Sequence, residues 1–290
     1  MYTTYIIQKD EFPQRLREIP KVPEKLYIKG QMPKPDAKML CVVGSRKHSS
    51  YGAKACRELI LGLKGYNICI VSGLALGIDT IAHRSALGAG LQTIAFPGSG
   101  LDDAVLHPSK NKPLADEILY SGGALLSEFA MNQQGTLWTF PQRNRLMAGI
   151  SEATIVVEAA LPSGTLITSR LATEYNRDVG AVPGDIFSPL SAGPHMLLGL
   201  GAVPITCSLD ILRMLNLEPK ENESVVQQKL LLDLTENERL IIEYLRIEPH
   251  TSERLTFKCA LSAKDVSEAL SSLEIQGLIG LNNSNEFFKF

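Results

Sequence analysis

The stretch ATIVVEAALPSGTLITSRLATEYNR, residues 153–177, holds an apolar β-branched run, a Pro-Ser-Gly turn and a segment of helical period. Similar apolar runs occur at 39–44, 68–73, 92–98, 124–128 and 178–184, and further segments of helical period at 51–63, 77–88, 111–120 and 141–149. Strands that are apolar throughout and alternate with helices are typical of a parallel sheet covered on both faces. The sequence therefore predicts an α/β fold with a doubly wound, mostly parallel sheet over residues 39–216.

Four of these strands end in glycine next to small hydroxyl residues, in the loops Gly44-Ser45-Arg46, Ser72-Gly73, Gly98-Ser99 and Ser163-Gly164-Thr165. Ligands of doubly wound sheets bind outside the carboxyl ends of the strands, so we expect these loops to lie together. Glycine allows close approach of the backbone, and free N–H groups beside Ser or Thr suit phosphate oxygens. The pattern predicts a phosphate-binding crevice, although a tight turn alone explains any single loop.

The segment FPQRNRLMAGIS, residues 140–151, predicts a helix that begins at Pro141, since the fixed φ of proline suits the first helical position. Arg143 and Arg145 lie near the positive end of the helix dipole, where a bound anion explains two cations. Solvated or salt-bridged arginines are the alternative. The two residues point about 200° apart. Arg143 is therefore expected over the crevice, and Arg145 beside a carboxylate, a neighbouring subunit or a phosphate.

The composition narrows the function classes. The net charge is −2 and the isoelectric point near 6.2, so nucleic-acid binding requires a local basic patch. The five cysteines include no C-x-x-C pair and the histidines lack ligand spacing, so we expect neither disulfides nor a metal. Nucleotide-hydrolysis, dinucleotide and serine-hydrolase motifs are missing, so no cofactor is expected. With no leader and no long apolar run, we expect a soluble cytoplasmic protein without a membrane partner.

Several titratable residues near the crevice have open or structural interpretations. Asp79 and His83 are four residues apart on one helix and predict a structural hydrogen-bonded pair, because no nucleophile completes a catalytic set. Glu128 and Glu158 end two strands. Each has two interpretations, an acid or a residue that orients the arginines.

Five motifs follow one another along the chain: Val43-Gly44-Ser45-Arg46 with Tyr51-Gly52; Ser72-Gly73-Leu74-Ala75-x-Gly77-Ile78-Asp79 with Ala82-His83; Pro97-Gly98-Ser99-Gly100-Leu101-Asp102; Phe140-Pro141-x-Arg143-Asn144-Arg145 with Ala148-Gly149; and Ser163-Gly164-Thr165-Leu166-Ile167-Thr168 with Ala181-Val182-Pro183-Gly184. In these motifs and in their order, the chain resembles the DNA-processing protein A (DprA/Smf) family over residues 40–215. Three positions depart from the family pattern. His107 replaces the usual tyrosine, His195 a common asparagine, and Gly180 lies in a strand that is usually more apolar.

The resemblance implies a non-enzymatic protein with an extended Rossmann-like domain. Such a protein binds single-stranded DNA, forms a homodimer and loads the RecA recombinase during natural transformation. The residues implied for phosphate binding are Gly44, Ser45, Arg46, Ser72, Gly73, Gly98, Ser99, Arg143, Asn144, Arg145, Ser163, Gly164 and Thr165. Phe140 is expected either to stack on a base or to act as a hydrophobic staple that packs into the core.

The alternative function is enzymatic, that of a phosphoribohydrolase of the lysine-decarboxylase-like nucleotide-binding group. That group has the motif P-G-G-x-G-T-x-x-E, with a glutamate three residues after the threonine. Thr168 occupies the corresponding position here. The resemblance to the enzyme group therefore lacks its catalytic acid.

The two ends of the chain differ from the middle. Residues 1–38 are rich in proline and charge and predict an irregular arm, and the polar residues 217–230 predict a linker. Residues 231–290 resemble a winged-helix module, with helices at 236–247, 252–261 and 262–276 and a hairpin formed by 278–281 and 286–290. The third helix is mostly acidic, which favours a protein-contact or accessory role over duplex reading.

Overall fold

The computed structural model describes residues 3–219, 234–246, 248–275, 278–282 and 285–289. The chain divides into two compact units, Met1–Glu218 and Pro219–Phe290. Most of the predicted linker at 217–230 lies outside the described residues. Within the described residues, every helix is too short or too polar to cross a membrane.

The first unit contains one nine-stranded sheet. Its strands are β1 Thr4–Gln8, β2 Lys25–Gly30, β3 Lys38–Val43, β4 Ile68–Ser72, β5 Gln92–Ala95, β6 Ala124–Ser127, β7 Ala153–Val156, β8 Asp178–Ala181 and β9 Val203–Pro204. The order is β1-β2-β6-β5-β4-β3-β7-β8-β9, and all pairs from β6 to β9 are parallel. The chain proceeds from β3 to one side through β4, then returns to the other side at β7. This reversal is a topological switch point, where ligands of such sheets bind.

Helices cover both faces of the sheet. They are α1 Gln14–Arg17, α2 Ser50–Leu61, α3 Ile78–Gly88, α4 Lys112–Tyr120, α5 Thr139–Ile150, α6 Gly164–Glu174, α7 Ala192–Gly199 and α8 Ser208–Met214. Within β3, Leu40 and Val42 pack into one core cluster, while Cys41 and Val43 pack into the cluster on the opposite face. The predicted doubly wound, mostly parallel α/β fold and all six predicted strands of the sheet are thereby confirmed.

The interpretation of residues 1–38 as an irregular arm is wrong. β1 and β2 extend the sheet as an antiparallel pair, and β2 also pairs antiparallel with β6. Only Leu26 and Ile28 of β2 are fully buried, and β1 has no buried residue. An edge hairpin with so few core positions carries a weak apolar signal, which the surrounding prolines and charges obscured.

Helix α5 begins two residues before its predicted start. Trp138 is the N-cap and Pro141 is the third helical residue. Proline is tolerated there because the first N–H groups of a helix have no intrahelical acceptor. The Thr139 hydroxyl accepts the N–H of Thr136 at 2.8 Å, which holds the chain entering the helix.

The described residues of the second unit form three helices and a hairpin, in the predicted order. The helices are α9 Glu236–Leu245, α10 Ser252–Cys259 and α11 Ala263–Ile275, and β10 Ile279–Leu281 pairs antiparallel with β11 Phe287–Lys289. Side chains of the helices form their own buried cluster. The assignment to the winged-helix class stays a prediction.

Candidate functional site

A groove of about 590 Å³ lies at the carboxyl ends of β3, β4 and β7, between the first turns of α5 and α6. The predicted crevice is thus present at the switch point. The predicted residues that line it are Gly44, Ser45, Arg46, Phe140, Arg143, Asn144, Ser163, Gly164 and Thr165. The remaining predicted residues lie beneath the groove or beside it.

The first turn of α6 forms one wall. The Ser163 hydroxyl caps the helix by accepting the N–H of Thr165 at 3.2 Å. The N–H of Gly164 has no acceptor among the described residues, and a Cβ built on Gly164 would meet nothing within 4 Å. The Asn144 side-chain amide donates to the Gly164 carbonyl at 3.4 Å, linking α5 to α6. The positive end of the α6 dipole therefore faces open space, where an anion is stabilised.

Arg46 is an exposed cation that lines the groove, as is Lys47. Its guanidinium lies 5.5 Å from the centroid of the Phe140 ring, a cation–π distance. In the part of the chain that the structure describes, no carboxylate forms a salt bridge with Arg46. Its charge is therefore available to an anion.

Phe140 stands at the mouth of the groove. Its ring centroid is 5.6 Å from that of His107, with the planes tilted by 41°. A Cβ on Gly98, at φ +71°, would lie 2.9 Å from the Phe140 ring, so only glycine fits against it. Phe140 is the second residue of α5 and is only partly buried, whereas a hydrophobic staple precedes its helix. The staple interpretation is therefore wrong.

Arg143 is buried beneath the groove. Its Nη1 donates to the carbonyl of Gly73 at 2.5 Å and also to that of Phe96, and its Nε is buried without a partner among the described residues. Burial lowers the pKa of Arg143 to about 10, while Asp79 acts in the opposite direction. The guanidinium is therefore charged at neutral pH. Arg143 forms part of the groove floor, and its contact with phosphate stays a prediction.

Arg145 pairs with a carboxylate, which is one of the three partners that the sequence analysis left open. Its Nη2 donates to Glu128 and its Nη1 to the carbonyl of Lys21. Burial raises the pKa of Glu128, opposed by the Arg145 charge. Arg145 does not line the groove, and its assignment to phosphate is corrected to an internal ion pair. Glu128 therefore orients an arginine.

Ser72, Gly73 and Ser99 have structural roles, which corrects their assignment to phosphate. Gly44 lines the groove, so its contact with phosphate stays a prediction. Ser72 and Ser99 are fully buried, and their hydroxyls donate to the carbonyls of Val42 and Gly100. The Gly73 N–H donates to the Asp79 carboxylate at 3.1 Å. A Cβ on Gly44 would lie 2.6 Å from Ile78, so this glycine permits close packing of α3.

Ser45 also stabilises the turn in which it lies through its own hydrogen bonds. Its N–H donates to the Glu158 carbonyl, and its hydroxyl bonds with Lys47. The Glu158 carboxylate accepts both the N–H and the hydroxyl of Ser49, the N-cap of α2. Glu158 therefore fixes the start of a helix and does not orient an arginine.

Asp79 and His83 do not bond to each other. The Asp79 carboxylate accepts the N–H groups of Gly73 and Ala75, whereas His83 Nδ1 bonds with the Thr93 hydroxyl at 2.7 Å. Burial raises the pKa of Asp79 against the effect of Arg143, and burial lowers the pKa of His83 to about 3. Both residues are structural, but with different partners than expected.

A model of the DNA recombination-mediator protein A family matches residues 3–216. The chain belongs to this family. Protein Smf of Escherichia coli is 41% identical over 204 residues, which span 70% of this chain and 54% of that protein. DNA processing protein DprA of Streptococcus pneumoniae is 43% identical over 211 residues, 73% of either chain. The chain therefore spans about half the length of the Escherichia coli relative.

Two solved structures of family members confirm the fold. DprA of Streptococcus pneumoniae superposes with a TM-score of 0.67 at 41% identity, covering 76% of this chain and 75% of that one. DNA processing protein A of Helicobacter pylori, whose structure shows its single-stranded DNA binding mode, superposes with a TM-score of 0.66 at 27% identity. The superposition covers 74% of this chain and 96% of that one.

The three departures from the DprA family pattern have local explanations. His107 supplies the ring against Phe140. His195 Nε2 lies 3.1 Å from the carbonyl of Gly184. A Cβ on Gly180 would lie 2.7 Å from Ile205, so the strand needs glycine for close packing.

The sequence did not indicate Lys47 and Leu137, which line the groove, or Trp138, which directly follows Leu137. Leu137 and Trp138 are 85% and 81% exposed. The available signals were the position of Lys47 directly after Arg46 and that of Leu137 and Trp138 shortly before the DprA motif Phe140-Pro141.

Proposed function

We propose that this member of the DprA family binds single-stranded DNA in the groove and acts as a recombination mediator in natural transformation. The observation that carries the proposal is the exposed Arg46, which forms no salt bridge within the described part of the chain and shares the groove with the open first turn of α6. The Helicobacter pylori relative binds single-stranded DNA, which supports the same ligand class for this chain.

The groove offers two kinds of contact to a DNA strand. The N–H of Gly164, the α6 dipole and the Arg46 guanidinium belong to the same groove, and each of them stabilises the negative charge of a backbone phosphate. Phe140 offers its ring to an unstacked base. The buried charge of Arg143 and the exposed Lys47 raise the potential of the groove. Phosphate contacts of this kind are independent of sequence.

The proposal includes no catalysis, cofactor or metal. Asp79 is the one acidic residue among the described residues that line the groove, and its carboxylate is already bonded to two backbone amides. Thr168, where a phosphoribohydrolase would have its glutamate, is 1% exposed. The enzymatic alternative therefore has no residue in the groove to support it.

We further propose a homodimer formed through the β9 edge of the sheet. An apolar hollow of about 1250 Å³ lies between α6, α7 and β9, and Leu200 beside it is 78% exposed. An unpaired edge strand next to exposed apolar side chains suits a second copy of the same surface. Leu200→Asp is expected to give a monomer in light scattering, while Tyr120→Asp, on an exposed site of α4, leaves the mass unchanged.

The proposed cellular role is the loading of RecA onto single strands in the cytoplasm. The test is assembly of RecA filaments on single-stranded DNA, followed by light scattering, with and without the chain. We expect the wild type to shorten the lag before filaments form and Arg46→Ala to shorten it less. An unchanged lag with a chain that binds the DNA would contradict RecA loading but leave DNA binding intact.

A further inference from the structure

Trp138 is the single tryptophan of the chain, and it is 81% exposed. Tryptophan normally contributes to stability through the large apolar area that it buries. As the N-cap of α5, Trp138 also makes no side-chain capping hydrogen bond. The stability of the first unit therefore does not explain why a tryptophan occupies this position.

Trp138 lies in the chain between two residues of the groove, Leu137 and Phe140. Its neighbour Leu137 lines the groove, and a Cβ on Gly135 would lie 3.5 Å from the Phe140 ring. The loop that contains these residues is fastened to the sheet end by the N–H of Gly100, which donates to the Gln133 carbonyl at 2.8 Å. Trp138 therefore belongs to the exposed segment that leads into the groove at Phe140.

We propose that Trp138 is a second stacking platform, which receives a nucleobase of the single strand next to the one at Phe140. This inference rests on the proposed function and extends its binding surface beyond the groove. A strand whose phosphate lies at Arg46 and α6 leaves its bases free to turn outward, and an indole presents a broad face to any base.

The polar setting favours a base over a protein partner. Gln133, Gln134 and Thr136 in the same loop are exposed, so Leu137 and Trp138 form a small apolar site within a polar loop. Protein-binding surfaces are usually larger contiguous apolar patches. A protein partner is therefore treated as an outcome of the test.

The test follows the emission of Trp138 during titration of the full chain with oligo-dT and with an abasic oligonucleotide of equal length. Binding is measured separately by anisotropy of labelled strands. We expect oligo-dT to quench the emission and the abasic strand to bind without quenching. Trp138→Ala is expected to weaken oligo-dT binding about 10-fold, the effect of losing one stacked base, and to leave abasic binding unchanged.

Two variants serve as controls. Trp138→Phe keeps an aromatic face and is expected to restore most of the affinity for oligo-dT. Tyr120→Ala removes an 86% exposed aromatic at the end of α4, which leads to the amino end of β6 and so lies at the opposite edge of the sheet. The affinity of the Tyr120→Ala variant for oligo-dT is expected to equal that of the wild type.

Binding of oligo-dT without quenching, or equal affinity of Trp138→Ala and the wild type, overturns the stacking platform while leaving the groove proposal intact. A Trp138→Ala chain with normal DNA affinity but altered RecA assembly or oligomeric mass identifies a protein contact and also overturns it. Absence of binding to either strand by the wild type overturns both proposals.

Discussion

Arg143 and Gly73 are joined by a hydrogen bond of 2.5 Å from the guanidinium Nη1 to the carbonyl oxygen. The N–H of Gly73 donates to the buried Asp79 carboxylate. Gly73 therefore lies between the buried Arg143 guanidinium and the buried Asp79 carboxylate. A Cβ on Gly73 would lie 2.1 Å from Nη1, and no other residue fits. The arrangement ties α5 to the end of β4 and forms the floor beneath the groove.

Arg143→Met is expected to destabilise the first unit. The substitution leaves the buried carbonyls of Gly73 and Phe96 without the donor that Arg143 supplies, and an unsatisfied buried polar group typically costs about 1–3 kcal/mol. Thermal unfolding followed by circular dichroism should show a clearly lowered Tm. Arg57→Met, at an exposed position in the second half of α2, is the matched control and should unfold like the wild type. A normal Tm together with weakened DNA binding would instead make Arg143 a surface ligand.

Arg46→Ala is expected to weaken binding of single-stranded DNA without changing the Tm. Loss of one phosphate contact should lower the affinity about 10-fold at low salt and reduce the slope of log affinity against log salt by about one. Fluorescence anisotropy across a salt series measures both quantities. The exposed Arg57→Ala variant should keep the wild-type slope. An Arg46→Ala chain with an unchanged slope would remove Arg46 from the phosphate site.

The Gly164→Ala variant tests whether phosphate approaches the first turn of α6, because the substitution is compatible with the fold. The added methyl group meets nothing within 4 Å of Gly164, so it fits the fold, and alanine favours a helix over glycine. We expect an equal or slightly higher Tm together with weaker DNA binding, because the methyl group occupies the space in front of the α6 amides. Gly88→Ala, at the far end of α3, is the control for glycine replacement and should bind normally. Wild-type affinity of Gly164→Ala would show that phosphate does not approach α6.

His83 predicts a dependence of stability on pH. The pKa of His83 in the folded chain, about 3, lies below the ordinary value of 6.5. As the pH decreases, the unfolded chain is therefore protonated at this side chain at a higher pH than the folded chain. Stability is fully present above pH 6.5 and falls as the pH decreases toward 3, by at most about 1.4 kcal/mol per pH unit from this group. Urea unfolding of the wild type and His83→Gln at pH 7 and pH 5 tests this. The variant should lose less stability than the wild type, and an equal loss would contradict the assignment.

The central strands were predictable because their signal is local. Both faces of β3 and β4 are buried, so each is an unbroken apolar run between turns. The edge pair β1 and β2 has few buried positions, and its pairing with β6 is a long-range contact that no local pattern contains. Local patterns therefore located the crevice but not the full width of the sheet.

The roles of the three arginines depended on tertiary contacts. Arg46, Arg143 and Arg145 all belong to motifs at the crevice, yet the first is exposed, the second is buried under two carbonyls and the third pairs with a carboxylate. The helical angle between Arg143 and Arg145 placed them on different sides of α5. It did not reveal that burial removes Arg143 from the surface, since that depends on the positions of Gly73 and Phe96, which directly follow β4 and β5.

The most direct test of the account is an anisotropy titration of the wild-type chain with labelled single-stranded and double-stranded oligonucleotides of one sequence across a salt series. We expect tighter binding to the single strand, because a duplex hides its bases from Phe140, and an affinity that falls steeply with salt. Equal affinity for the two forms, or no binding at low salt, would contradict the assignment of the groove to single-stranded DNA.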